Sequence, residues 1–207
     1  MSVNTILNWR GVGTVTSNLL LSVLYFFFAF EHLQAFIISP RLSILLIVAV
    51  ESLLGIMLIV RRDPDRTHHS LKTWFATFCG TCAPLLLRPT EAPVDLLFGQ
   101  ALQIAGFALQ IVAVLSLNRS FGLLPAHRGI QSNGLYRWVR HPLYSAYLLA
   151  HIGYVINNMT WYNLAVVVFG TGFQIVRIIQ EERFLCEYET YVQYRAKTRW
   201  RLIPAIW

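Results

Sequence analysis

The chain reads as an all-α, polytopic integral membrane protein, and three observations predict this. Of its 207 residues, 56% are hydrophobic and only 13% charged, whereas an ordinary soluble domain carries about 25% charged residues. Mean hydropathy is +0.52. The apolar residues fall in long runs, among them 42–60 and 94–117 with one charge each, and each is long enough for the roughly 20-residue crossing of a bilayer. The deficit of charge excludes a free-standing soluble enzyme and a disordered chain.

Six apolar segments follow one another, at 17–38, 42–60, 71–87, 94–117, 142–156 and 161–179. Pro40-Arg41 makes a tight turn between the first two, and Pro84 and Pro89 end the third, because proline disfavours helix in the residue before it. The fifth is short for a span, so it is expected either to tilt or to pair with the sixth as a shallow hairpin. The first sixteen residues are mixed and polar, and the first apolar run is too long for the core of a cleavable signal. Three cysteines, Cys79, Cys82 and Cys186, are too few for a disulfide framework.

The formal charge of +7 would suggest nucleic acid in a soluble protein. Here it is read as topology, because cytoplasmic loops collect Lys and Arg. With a cytoplasmic N-terminus and six spans, Arg10, loops 61–72 and 118–140, and the tail from Arg177 all lie inside. Only Arg41 and Arg88 fall outside, a split of 15 to 2. A five-span arrangement would put an Arg-rich stretch on the wrong face. Six spans with both termini cytoplasmic is therefore the expectation. The four-span region 1–117 precedes a polar C-terminal region, 118–207, where chemistry with a water-soluble partner belongs.

Within that region Asn133-Gly134 marks a turn. Arg137 and Arg140 are three apart and would share a helix face. His141-Pro142 opens the fifth segment, where proline suits a first helical turn, so His141 and Tyr144 would point the same way. These residues could also form a plain interfacial belt of Tyr, Trp and Arg. Arg177 and Glu181 are spaced i, i+4 where the sixth segment ends, and the ordinary reading is a surface ion pair worth under about 1 kcal/mol. The tail from Tyr188 to Pro204 reads as a basic amphipathic segment lying on the bilayer.

Taken together, Gly134-Leu-Tyr136, Arg140-His-Pro-Leu-Tyr144, Arg177…Glu181-Glu182, Tyr191…Tyr194 and Leu202-Ile-Pro204 resemble the isoprenylcysteine carboxyl methyltransferase family. That family belongs to a wider group of membrane methyltransferases that includes the phospholipid N-methyltransferases. The resemblance covers about the last eighty residues. It implies S-adenosylmethionine as methyl donor, held at the cytosolic face by Arg128, Gly129, Ile130, Gln131, Tyr136, His141, Pro142, Leu143, Tyr144 and Glu181. It also implies Arg177 beside the acceptor carboxylate, and Ala146 stands where the family usually has glycine. The donor carries a sulfonium, which suits a carboxylate and aromatic faces, and in-line methyl transfer draws mainly on positioning. A site without an obvious nucleophile is expected.

The predicted function is thus methyl transfer to a lipophilic or small acceptor entering from the bilayer, most simply a carboxylate. Membrane lipid is the other partner and nucleic acid is not one, while the oligomeric state is left open. An amine acceptor is the nearest variant. One alternative is a sterol-reductase-like enzyme using NADPH, with Arg128, Arg137 and Arg140 meeting its extra phosphate. Another is a small transporter or scaffold built on Glu31, Glu51 and His151.

Other groups read as structure. No metal site is expected. Cys79-Gly-Thr-Cys82 has redox spacing, but small residues at membrane-helix contacts are the commoner reason. Gly170-Thr-Gly172 likewise reads as close helix packing. Glu31, His32 and Glu51 are ionisable groups inside apolar segments, either lining a pocket or serving as polar glue. His151 reads as a satisfied packing residue, and His68-His69 as solvated.

Overall fold

The computed structural model describes residues 9–62, 66–67, 70–88, 90 and 96–207. His68, His69, Pro89 and the first residues of the fourth apolar segment lie outside them. The described chain is mainly helical: α1 (Trp9–Ile38), α2 (Leu42–Val60), α3 (Leu71–Cys82), α4 (Leu97–Leu117), α5 (Pro142–Asn157), α6 (Trp161–Leu185) and α7 (Glu189–Lys197). Two two-residue strands, β1 (Arg66–Thr67) and β2 (Ala126–His127), pair antiparallel with Arg66 opposite His127.

All six apolar segments are helices. Four of these helices are long and apolar enough to cross a membrane: the stretch Asn18–Ile38 of α1, α2, α4 with its extension to Ser120, and α6. The third and fifth fall short, at 12 and 16 residues. Pro84 explains the third: the α-helix gives way to a 3₁₀ turn, Ala83–Leu86, since proline offers no N–H to the helical ladder. Ser70 starts α3 by accepting the Thr73 N–H, and Thr160 starts α6 by accepting that of Asn163, each satisfying an orphan donor of a first turn.

The core lies between α2, α4 and the start of α5, where Leu58, Ala113 and Val114 are fully buried beside Leu54, Phe121 and Leu143. The α4–α5 seam is built from small residues. A Cβ on Gly106 would stand 2.6 Å from the Ala150 backbone nitrogen, and one on Gly153 would stand 2.6 Å from the Gly99 carbonyl. Such residues let helix backbones approach closely where apolar surroundings provide no hydrophobic driving force. Gly170 serves the same purpose against Ala83, but Gly172 faces open space with nothing within 4 Å. The close-packing reading of the Gly170-Thr-Gly172 pair therefore holds for its first glycine only.

Polar groups join the helices at intervals. Ser22 Oγ donates to the Gly55 carbonyl across α1 and α2 at 2.8 Å. His32 Nδ1 meets Glu51 Oε2 at 2.9 Å between the same helices, so this pair acts as glue. Glu31 is exposed.

The connections gather at two ends. At one end the Arg62 N–H donates to the Arg119 carbonyl, Arg119 Nε donates to the Val60 carbonyl, and β1 pairs with β2. The same end holds the tail, where the Arg140 and His141 N–H groups donate to the Trp200 and Arg201 carbonyls. At the other end Asn163 Oδ1 accepts the Arg88 N–H, and Asn158 Oδ1 accepts that of Thr90. The basic loops and the tail thus share one end of the bundle.

Candidate active site

The polar end is organised around a carboxylate that the sequence pattern did not single out. Glu182 lies near the end of α6 and is 4% exposed. Its Oε1 accepts from Arg140 Nε at 2.6 Å and meets His141 Nε2 at 3.3 Å, while Oε2 accepts from Arg201 Nε at 2.8 Å. Arg140 is also buried, and its Nη1 donates to the Thr198 and Arg199 carbonyls. A buried carboxylate needs this many partners, because each desolvated charge costs several kcal/mol if left unpaired, by order of magnitude.

Two expectations are corrected here. Arg137 ends a 3₁₀ turn, Gly134–Arg137, and its guanidinium lies over the exposed Trp138 ring. It shares no helix face with Arg140, because the chain between them leaves the turn and bridges to Trp200. Nor is this stretch a plain interfacial belt: Arg140 and His141 are buried in the Glu182 cluster.

Glu181 faces elsewhere, as expected for neighbours about 100° apart around a helix. It is half-buried, and its one hydrogen bond among the described residues comes from the Tyr144 hydroxyl at a long 3.5 Å. The Arg177 guanidinium lies 5.4 Å from the centroid of the same Tyr144 ring. The i, i+4 spacing thus places both groups around Tyr144, but they form no ion pair. Arg177 is buried and donates to the Leu123 carbonyl at 2.8 Å, Gln174 Oε1 at 3.0 Å and Thr81 Oγ1 at 3.4 Å. Among the described residues no carboxylate reaches it. Gly80 admits this arrangement, since its Cβ position is only 3.3 Å from Arg177 Cδ and its carbonyl accepts from Gln174. The Cys79–Cys82 turn is therefore a helix contact, and its two thiols are free.

A tyrosine cluster closes the site. Tyr136, Tyr191 and Tyr194 are buried with Phe184 and Leu185, and Ile130 packs against them. Tyr194 donates to the Tyr136 carbonyl at 2.7 Å. The Tyr191 hydroxyl is sealed from solvent and has no hydrogen-bond partner among the described residues. Burial pushes the phenols of Tyr136, Tyr191 and Tyr194 well above their ordinary pKa, and the nearby Glu181 adds to the rise for Tyr136. The apolar face of α7 is thus turned inward onto Tyr136.

The remaining predicted residues divide. His141 and Tyr144 do point the same way, with ring centroids 5.8 Å apart. Tyr136 and Glu181 join them, and Pro142 starts α5. Leu143 turns instead into the α2–α4 core. Arg128 is buried and donates from Nε to the Arg62 carbonyl, while its own carbonyl accepts from Ser120. Gln131 donates to the same Ser120 hydroxyl, and Gly129 is exposed with φ +89°. Arg128 and Gln131 thus hold the loop to its neighbours.

Residues 96–187 match the isoprenylcysteine carboxyl methyltransferase family, a stretch that takes in α4 and ends before Tyr191. A curated relative, Protein-S-isoprenylcysteine O-methyltransferase A of Arabidopsis thaliana, is 32% identical over 107 residues, covering 47% of this chain and 53% of the relative. The chain spans about half the length of the curated relative it matches.

Proposed function

We propose that this chain, whose residues 96–187 carry the isoprenylcysteine carboxyl methyltransferase match, is a membrane methyltransferase that esterifies the carboxylate of a lipophilic acceptor. The observation that carries the reading is Arg177. A buried guanidinium is costly unless paired, and among the described residues this one has only neutral acceptors around it. Three hydrogen bonds leave two of the five N–H donors of a guanidinium available. An acceptor carboxylate meets that need, and Arg favours carboxylates through its planar fork.

The residues present fit S-adenosylmethionine. Glu181 has an under-used carboxylate beside two aromatic rings, Tyr144 and Tyr136, and the Tyr191 hydroxyl is orphaned in the same cluster. Carboxylate and ring faces suit a cationic ligand. When bound, the donor supplies an activated methyl group to an oxygen nucleophile. Glu181 would hold its amino group and Tyr136 and Tyr144 would flank it, while Arg177 orients the acceptor. A carboxylate acceptor has no proton to lose, so no general base is required, and orientation is the main contribution asked of the protein. The Glu182 cluster then serves as scaffold for His141 and the tail.

The region 118–207 is the catalytic part of this proposal, and 1–117 its membrane support. We include α3 and α5 as crossings, which gives six. The gathering of the basic loops and tail at one end supports that parity, and the positive-inside rule then makes this end cytoplasmic. A reductase reading is not favoured: the charge of Arg140 is already paired with the buried Glu182, and Arg128 is tied to the Arg62 carbonyl.

The test is a titration of detergent-purified protein with S-adenosylhomocysteine, followed by transfer of a labelled methyl group to a long-chain carboxylic acid. Micromolar binding and an alkali-labile ester are expected. Arg177→Leu should bind S-adenosylhomocysteine within about twofold of the parent yet form no ester. An alkali-stable product on an amine would move the protein to the N-methylating relatives.

A further inference from the structure

His151 in α5 was expected to be a satisfied packing residue, and the structure shows the opposite. It lines two adjoining clefts in the groove between α5 and α6 and makes no hydrogen bond or ion pair among the described residues. The cleft nearer the polar end is lined by Tyr144, Tyr147, His151, Thr171, Gln174 and Leu202. The second, equally shallow, continues past Gln174 and His151 toward Pro84, Leu87, Val166 and Gly170. Gln174 is held by its neighbours, donating to Gly80 and accepting from Arg177. The Tyr147 and Thr171 hydroxyls resemble His151 in having no hydrogen-bond partner among the described residues.

Three unpartnered polar side chains along a groove within apolar helices are costly unless a ligand answers them. Their position specifies which ligand. Seven residues, or two helical turns of about 10 Å, separate His151 from Tyr144, which stands against Arg177. A hydrocarbon chain running down the groove from a carboxylate at Arg177 passes His151 at this level, with Tyr147 and Thr171 lining the same cleft.

We infer that the α5–α6 groove is a specificity site for an acceptor whose chain carries a hydrogen-bonding group, such as a hydroxyl, at the depth of His151, with Tyr147 and Thr171 as its neighbours. The inference rests on the carboxylate-methyltransferase reading above. His151 acts on the choice of acceptor and takes no part in methyl transfer. A chain without that group leaves the three side chains unanswered, which is how a polar pocket rejects an apolar analogue.

The experiment compares octadecanoic acid with its mid-chain hydroxylated form as methyl acceptors, using the full chain in detergent. The parent should favour the hydroxy acid by about five- to tenfold in kcat/KM, as expected from one net hydrogen bond. His151→Leu should bring the two acids within about twofold by raising KM for the hydroxy acid, with kcat retained. His151→Gln should restore most of the preference. Equal use of both acids by the parent, or an unchanged preference in His151→Leu, overturns the inference and leaves the methyltransferase reading intact. Binding of S-adenosylhomocysteine with no transfer to either acid overturns the carboxylate reading and this inference together.

Discussion

Glu182 accepts from Arg140 at 2.6 Å with both side chains only 5% exposed, and this pair fastens the start of α5 to the end of α6. His141 and Arg201 complete the cluster, so one carboxylate joins the loop before α5, helix α6 and the tail. Removing one partner of a buried ion pair typically costs about 3–5 kcal/mol. Glu182→Ala should therefore lower the thermal stability of the detergent-solubilised protein by that order, and Arg140→Ala should do nearly the same. Combining them should cost less than the sum, since the ion pair between them is lost in either single change. A double mutant whose losses simply add would show that the pair is not the joint described.

Glu181 offers the opposite profile. It is half-buried and its one hydrogen bond is long, so Glu181→Gln should change thermal stability by no more than about 0.5 kcal/mol, the usual range for sites without a special role. The same substitution should weaken S-adenosylhomocysteine binding by at least about tenfold, the scale of a lost charge-assisted hydrogen bond. Calorimetric titration beside a melting curve separates the two carboxylates. Equal behaviour of the Glu181 and Glu182 variants would remove the distinction.

Much of this architecture could be read from the chain. The ends of α2 coincide with those of its apolar run, and α5 and α6 begin at Pro142 and Trp161 as expected, because long apolar runs and proline act locally. What escaped was non-local. Glu181 and Glu182 are adjacent, and which of them meets Arg140 depends on the roll of α6 against α5. Arg137 and Arg140 part company because residue 139 bridges to Trp200, some sixty residues away in sequence. His151 reads from the sequence as a packing residue, and its place in a cleft follows from the groove between two helices.

The glycines of the α4–α5 seam and of α6 should separate cleanly. Gly106→Val would drive a side chain into the Ala150 backbone, with its Cβ alone 2.6 Å from the nitrogen. Backbone cannot yield as a flexible side chain can, so the variant should lose the monodisperse elution peak of the parent. Gly172→Ala meets nothing within 4 Å and exchanges glycine for the best helix former, a gain of up to about 1 kcal/mol. It should melt at or above the parent temperature. A Gly172→Ala protein as damaged as Gly106→Val would overturn the assignment of the α4–α5 seam as the tight contact.

The tyrosine cluster predicts how the fold fails in alkali. Tyr136, Tyr191 and Tyr194 keep their protons in the folded protein beyond the pH at which free tyrosine loses them, about pH 10. A pKa raised on folding means that the unfolded chain holds fewer protons over the interval between the two values, so stability falls there as pH rises. The contribution is complete below about pH 10 and is lost as pH climbs from there through the folded values. Tyrosinate absorbance should therefore rise in two phases, the exposed phenols first and the buried ones together with unfolding. Tyr191→Phe removes a hydroxyl that has no partner and one of the three titrating groups, so it should shift the alkaline transition upward without lowering the melting temperature at neutral pH. A single smooth titration with helicity retained throughout would show that these phenols are not sealed in the fold.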